Sequence, residues 1–318
     1  MTLFKKLLTL LLLFLPLAAI SMDDPWDVLE DSAKASHALN YEGVFHSQSS
    51  AETNSTHVIH ANIDNKEYCS LKMLDGAPNE VFCAGDLVYV INQDGLLIKK
   101  RKNQFLFPSV LPSDINHLKK NYQLSFGEKK RIADRMAQLI VLRAKDNLRF
   151  NYHIWIDEKN FLPLKLVVTD NKNKMIEQST FTTIAFNKEF NKEFKKDIFE
   201  KNINLSKLYA TKNKFVENYV SNKFWNLKDL PAGFKEVDLI SRRVNGLNLL
   251  DYQLIFSDGL AYVSLFIRPI TRGTEPKEGT VSIGSNNISA KYQDGYQIMS
   301  VGMVPPETVN TFSGSIEF

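Results

Sequence analysis

The stretch Arg131–Lys165 reads RIADRMAQLIVLRAKDNLRFNYHIWIDEKNFLPLK, and its side-chain alternation leaves little choice of fold. Along Arg149–Ile156 the even positions Phe150, Tyr152, Ile154 and Ile156 are bulky and apolar. The odd positions Arg149, Asn151 and His153 are polar, and only Trp155 breaks the pattern. A period of two is that of a half-buried antiparallel strand. Met136–Ala144 precedes this run across a polar turn, Lys145–Asp146–Asn147. Leu164–Thr169 follows it across a second turn, Asp157–Asn160. The stretch is sheet, and it builds a surface rather than a reaction centre.

More sheet is expected around it. Trp26, Leu29, Ala33 and His37 stand near helical spacing after Asp24–Pro25, which predicts an N-terminal helix over Trp26–Leu39 with Asp24 or a neighbour as its cap. Short strands follow over Tyr41–Ser47, His57–Ile63, Glu67–Leu74, Glu80–Cys83, Leu87–Ile91 and Leu96–Arg101, separated by turn signals. Pro108 and Pro112 mark a loop, and Ser113–Asp114 should cap a helix running through Ile115, Leu118 and Tyr122. Lys174–Asn187 ends this α+β region.

Phe190–Asn222 is rich in Lys, Asn and Glu without a steady period, and reads as a join at 190–222. A second domain is expected over 223–318. Its candidate strands are Phe234–Arg243, Leu249–Phe256, Leu260–Pro269, Thr280–Ser285, Asn287–Gln293 and Tyr296–Val301. Ser257–Asp258–Gly259 and Gln293–Asp294–Gly295 are hairpin turns, and Pro305–Pro306–Glu307 opens a short terminal helix.

The first residues carry Lys5–Lys6, then the apolar run Leu7–Leu17, then small residues at Ala19 and Ser21. That order predicts a secretory signal peptide over 1–21, cleaved after Ser21, and a soluble exported domain over 22–189. Net charge is +3, and the two leader lysines supply most of it, so the mature chain is near neutral and no nucleic-acid binder. Export makes the two cysteines informative. A hairpin centred on Gly76 sets Cys69 opposite Cys83, Leu71 opposite Val81 and Lys72 opposite Glu80. Directly opposed residues lie within disulfide range, so a Cys69–Cys83 bridge is expected, with two buried free thiols as the alternative.

Catalytic signatures are missing. His57 and His60 are three apart in an expected strand and face opposite ways, so no shared metal is expected. There is no G-x-S-x-G elbow, phosphate-cradling glycine loop or H-E-x-x-H. Asp134, Asp157 and Asp170 lie next to turns, and turn or surface roles are expected of them. No enzyme and no cofactor is expected.

Several short runs nevertheless occur in a telling order. They are Leu39–Asn40–Tyr41–Glu42, Leu74–Asp75–Gly76, Phe107–Pro108–Ser109–Val110–Leu111–Pro112 and Arg131–Ile132–Ala133–Asp134–Arg135. They continue with Tyr152–Asp157, Leu162–Pro163–Leu164–Lys165, Leu230–Pro231–Ala232–Gly233–Phe234 and Ser257–Asp258–Gly259–Leu260. In these the chain resembles the RseB/MucB family of periplasmic regulators of the sigma-E, or extracytoplasmic-stress, pathway. The Cys69/Cys83 pair is a departure from what the family leads one to expect.

The resemblance implies an N-terminal antiparallel half-barrel with helices, like LolA and LolB, and a smaller C-terminal β-rich domain. It implies binding to the periplasmic part of a membrane anti-sigma factor, protection of that factor from regulated proteolysis, and release by lipopolysaccharide or another lipid. A LolA/LolB-type lipid or lipoprotein carrier is the alternative, but a carrier has no need of the second domain. Strand parity and bulk select Met136, Ile140, Phe150, Ile154 and Leu166 as lipid-cavity candidates, with ordinary core packing as the competing reading. Arg242, Arg243 and Arg268 are the candidate contacts for the anti-sigma partner, against a plain solvated face. Homo-oligomerisation is left open.

Overall fold

A computed structural model of the chain describes residues 24–77, 79–85, 87–91, 97–101, 106–186, 223–243 and 250–318. The expected leader and the join at 190–222 lie outside them. Helix α1 spans Pro25–Ala38. The Asp24 carboxylate accepts the Trp26 N–H at 2.9 Å, and Pro25 sits in the first turn, where its missing N–H is not needed. The helix buries Leu29 and Ala33, one turn apart, against the sheet.

Strands β1 (Tyr41–Ser49), β2 (Thr53–Ile63), β3 (Lys66–Met73), β4 (Glu80–Ala84), β5 (Leu87–Ile91) and β6 (Leu97–Arg101) form the expected meander. Asp64 and Asn65 both take positive φ, as a tight hairpin between β2 and β3 requires. β3 and β4 pair in the register read from the sequence, Cys69 with Cys83, Leu71 with Val81 and Lys72 with Glu80. Cys69 and Cys83 form a disulfide, their Cα atoms 4.7 Å apart.

After a loop come α2 (Leu118–Asn121), β7 (Tyr122–Phe126), β8 (Lys130–Ile132), β9 (Arg135–Ala144), β10 (Asn151–Asp157), β11 (Pro163–Thr169) and β12 (Met175–Phe186). β12 returns to pair antiparallel with β1, joining both halves of the region. The strand order is β6-β5-β4-β3-β2-β1-β12-β11-β10-β9-β7, with β8 beside β9. Among the described residues the path has two ends, which makes this an open antiparallel half-barrel with α1 against it.

One expected element is largely absent. The helix from Ser113 to Tyr122 is reduced to the four residues of α2. The Asp114 carboxylate accepts the Asn116 N–H at 2.9 Å, which closes a local turn instead of starting a helix. Leu111 and Ile115 still enter the core from a loop, Leu118 does so from α2, and Tyr122 begins a strand. Burial of these side chains outweighs helical spacing. Phe45, Phe107 and Phe181 meet beneath this loop, with ring centroids 4.9 to 5.7 Å apart.

The second unit has β13 (Asn226–Leu227), β14 (Lys235–Arg243), β15 (Leu250–Ser257), β16 (Tyr262–Pro269), β17 (Gly279–Ile283), β18 (Asn286–Gln293), β19 (Tyr296–Gly302), α3 (Pro306–Gly314) and β20 (Ile316–Glu317). Six of the strands form an antiparallel sheet in the order β14-β15-β16-β19-β18-β17, and β13 pairs with β20. Val309 and Phe312 of α3 close one face over Leu254, Phe256, Leu265 and Ile298. Asp294 and Gly295 take positive φ in the turn joining β18 and β19.

Candidate functional site

Arg149 sits just before β10, at an odd position of the alternating stretch, where parity predicts a polar, outward residue. It is fully buried instead. The loop from β9 to β10 turns it into the joint between the two units. Its Nε donates to Asp258 Oδ2 at 2.6 Å, Nη1 donates to Asp146 and Nη2 donates to the Ala232 carbonyl. The guanidinium also lies 5.1 Å from the centre of the Phe234 ring. Burial works against its charge, but Asp258 and Asp146 outweigh that and hold its pKa above the ordinary arginine value.

Asp258 is saturated with donors. Oδ1 accepts the Leu260 and Ala261 N–H groups at 3.0 and 2.8 Å, and Oδ2 accepts the Tyr122 hydroxyl at 3.2 Å as well as Arg149. Burial, reinforced by the Asp258 charge, pushes the Tyr122 phenol well above its usual range. Two glycines from the second unit allow the close approach. A Cβ on Gly233 (φ +87°) would lie 2.5 Å from Asn121 Oδ1 and 2.8 Å from Arg149 Nη2. A Cβ on Gly259 (φ +107°) would lie 2.9 Å from Leu118 Cδ2. Leu260 enters the half-barrel core, and Thr308 at the start of α3 donates to the Leu148 carbonyl at 2.8 Å. The joint is therefore apolar, hydrogen-bonded and charge-compensated.

This explains two of the sequence runs. Ala232–Gly233–Phe234 and Ser257–Asp258–Gly259–Leu260 are the turns that meet Arg149 and α2. The sequence identifies the second as a hairpin turn, but not what it touches. A further run is explained by Arg135, whose Nε and Nη2 donate to the two oxygens of Asp157 at 2.8 and 2.9 Å. Asp157 is buried and also accepts the Asn160 N–H, so its turn position carries an ion pair that spacing alone does not reveal.

The residues singled out from sequence separate clearly. Ile140, Ile154 and Leu166 are buried cross-strand neighbours in one row, Ile140 beside Ile154 and Ile154 beside Leu166. Phe150 is buried in the same core, whereas Met136 is 46% exposed. Arg268 is exposed and bonds Asp251 Oδ2 from Nε at 3.1 Å and Nη2 at 2.7 Å. Arg242 and Arg243 end β14, and their side chains lie outside what the structure describes. Among the described residues no group of three or more His, Cys, Asp or Glu could hold a metal. None of their helices is long and apolar enough to cross a membrane.

An open half-barrel locked to a smaller sheet unit by a buried ion pair defines a two-domain antiparallel protein with a LolA-like first domain. Comparison gives the family. The MucB/RseB N-terminal domain matches residues 24–202 and the MucB/RseB C-terminal domain matches residues 220–317. The chain belongs to the MucB/RseB family. It is 27% identical over 296 residues to the sigma-E factor regulatory protein RseB of Escherichia coli K12, covering 92% of this chain and 90% of that one. It is 25% identical over 317 residues to the sigma factor AlgU regulatory protein MucB of Pseudomonas aeruginosa, covering 98% and 96%. The fold matches MucB in the Pseudomonas aeruginosa MucA/MucB complex with a TM-score of 0.71 at 22% identity, covering 92% of this chain and 98% of that one.

Proposed function

We propose that this protein is a periplasmic negative regulator of a sigma-E-type envelope-stress pathway. It binds the periplasmic part of a membrane anti-sigma factor, shields it from regulated proteolysis, and lets go when lipopolysaccharide or another lipid binds. The observation that carries this reading is similarity to RseB across both domains in the same order, over 92% of the chain. The solved relative bound to MucA(peri) supports a protein partner for this fold. The basic-apolar-small start of the chain supports export, with the mature protein running from Met22 as domains 22–189 and 223–318.

The lipid acts through the half-barrel. Ile140, Phe150, Ile154 and Leu166 share one core with Phe107, Leu111 and Ile115 of the preceding loop and with Leu118 of α2. An acyl chain reaches them by displacing that loop, with Met136 at the rim. Arg242, Arg243 and Arg268 contribute partner contacts from the second domain. Such a switch works only if the lipid binds the free regulator better than the complex. Coupling is reciprocal, so the bound partner weakens lipid binding by the same factor, on the order of 5–150-fold for typical couplings.

Titration calorimetry tests this with the mature protein and the purified periplasmic segment of the anti-sigma factor. Binding is expected, weakened by lipopolysaccharide, with the converse weakening of lipid binding by the segment. No binding of the segment overturns the regulator reading. Binding indifferent to lipid in both directions removes the lipid switch alone.

A further inference from the structure

Sheet edges expose unpaired backbone N–H and C=O groups, and folded proteins protect them with charge, bulges or covering elements. In this protein β6 carries Lys99, Lys100 and Arg101. β14 carries Lys235, Glu236, Asp238, Arg242 and Arg243, and its register shifts between Glu236 and Asp238. β7 has no charged residue, but α1 packs on it and Tyr122 is buried.

β17 also has a helix, α3, against it, but differs in composition and exposure. It reads Gly279–Thr280–Val281–Ser282–Ile283, with no charge and no proline, and every residue is exposed. Its one partner among the described residues is β18, in an unbroken register from Gly279–Ala290 to Ile283–Asn286. Thr280 and Ser282 are tied down on one face, donating to Asn310 Oδ1 at 2.6 Å and Asn287 Oδ1 at 2.5 Å. Val281 and Ile283 stand on the other face, 57% and 62% exposed. Two β-branched apolar side chains on an edge with an unbroken register, and with no second strand beside it among the described residues, make a template for another strand.

We propose that the β17 edge docks an extended segment of the anti-sigma partner, which adds to the six-stranded sheet as an outer strand. The segment alternates, with apolar or β-branched side chains beside Val281 and Ile283 and small polar ones beside Thr280 and Ser282. This rests on the regulator reading above and assigns its contact.

Two observations favour a segment of a larger partner over a second copy of this chain. A five-residue edge is about 17 Å long and one strand wide, far below the roughly 800 Å² per partner of a stable interface. Such an edge serves a partner that is also held elsewhere, where the second contact is effectively intramolecular. The end of β17 also meets the first domain. Ser50 Oγ, in the turn between β1 and β2, donates to the Gly284 carbonyl at 3.2 Å, and Ala51 lies beside Gly284. The β17 edge thus ends beside the β1–β2 turn, within reach of a segment that also engages the first domain.

Amide hydrogen exchange on the mature wild-type protein, with and without the purified periplasmic segment, reads the contact directly. Slowed exchange over Gly279–Ile283 in the complex is expected. Val281→Lys with Ile283→Lys blunts the edge at two exposed positions and should weaken segment binding roughly tenfold or more, the loss of one or two hydrogen bonds and an apolar contact. Far-ultraviolet circular dichroism and an unchanged unfolding midpoint confirm that the variant folds. Segment binding without protection at β17, and equal affinity for the variant, overturns this docking site and leaves the regulator reading standing. No binding to wild-type protein overturns both. A concentration-dependent dimer in sedimentation that the lysine variant abolishes assigns the edge to a second copy and overturns the choice of occupant.

Discussion

Arg149 Nε lies 2.6 Å from Asp258 Oδ2, with neither side chain exposed to solvent, and this pair couples the half-barrel to the second domain. Removing Asp258 leaves Arg149 with Asp146 as its remaining carboxylate and takes the acceptor from the Tyr122 hydroxyl and the Leu260 and Ala261 N–H groups. Asp258→Ala is therefore expected to cost about 3–5 kcal/mol, because Asp146 alone offsets less of the desolvation of Arg149. Replacing both, as Arg149→Met with Asp258→Leu, should cost clearly less than the single change. Urea denaturation followed by domain-specific probes checks both points. Equal losses in single and double variants would show that the pair is a packing feature and not a charge pair.

The two glycines at the joint allow a controlled test. Gly233, Gly259 and Gly273 all have positive φ, but only the first two face the other domain, and a Cβ on Gly273 would meet nothing within 4 Å. Gly273→Ala should carry only the backbone penalty, about 1–2 kcal/mol. Gly259→Ala adds a steric clash with Leu118, so its loss should be larger and accompanied by faster proteolysis between the domains. Similar losses for the two variants would mean that the close approach at Gly259 relaxes easily.

Alkaline titration should loosen the same joint. Burial, aided by Asp258 against the Ser257 hydrogen bond, pushes the Tyr262 phenol up to about 12, and burial pushes Tyr122 well above its usual value. In the unfolded chain both ionise near the ordinary value of 10. The folded state retains these protons longer, so their contribution is complete below pH 10 and is lost as pH rises toward about 12 and beyond. Stability should therefore fall through that window, measured by denaturation at successive pH values. Tyr122→Phe removes one such group and should flatten the slope. An unchanged slope would exclude Tyr122 as a contributor.

The period-two stretch around Arg149 made the antiparallel sheet legible, while its half-barrel form came from the family resemblance, and the Cys69–Cys83 register followed from centring a hairpin on Gly76. Sheet and register depend on local spacing. The joint does not. Arg149 occupies a position that parity assigns to solvent, and its partners Asp258 and Ala232 lie 109 and 83 residues away. Their run of residues signals a turn because Asp and Gly make turns wherever they occur. That the same carboxylate also accepts from another domain is a long-range fact. The same limit applies to the Ser113–Tyr122 segment, where helical spacing and core burial as a loop place the same side chains inward.

The disulfide gives a prediction about compartment. Cys69 and Cys83 close a loop with a sequence separation of 14 on facing strands. In the chain-entropy model a loop of about 15 residues contributes roughly 3 kcal/mol. The β3–β4 hairpin restricts the same segment in any compact unfolded ensemble, so this is an upper bound. Thiol titration of denatured, oxidised protein should find no free thiol. Cys69→Ser with Cys83→Ser should lose stability up to that bound, and added reductant should affect the wild type alone.

The apolar row through Ile154 separates cavity from core. Ile154 is fully buried between Ile140 and Leu166, while Met136 stands in solvent. Ile154→Ala should cost about 2–5 kcal/mol through the cavity it leaves, whereas Met136→Ala should fall within about 0.5 kcal/mol. Stability alone does not distinguish a lipid pocket from ordinary packing, since both lose contacts. Lipid affinity does. A pocket enlarged by Ile154→Ala should change acyl-chain affinity and chain-length preference, measured by calorimetry well below the unfolding midpoint. If lipid affinity stays the same while stability falls, the row through Ile154 is core alone, and any lipid binds elsewhere on the protein.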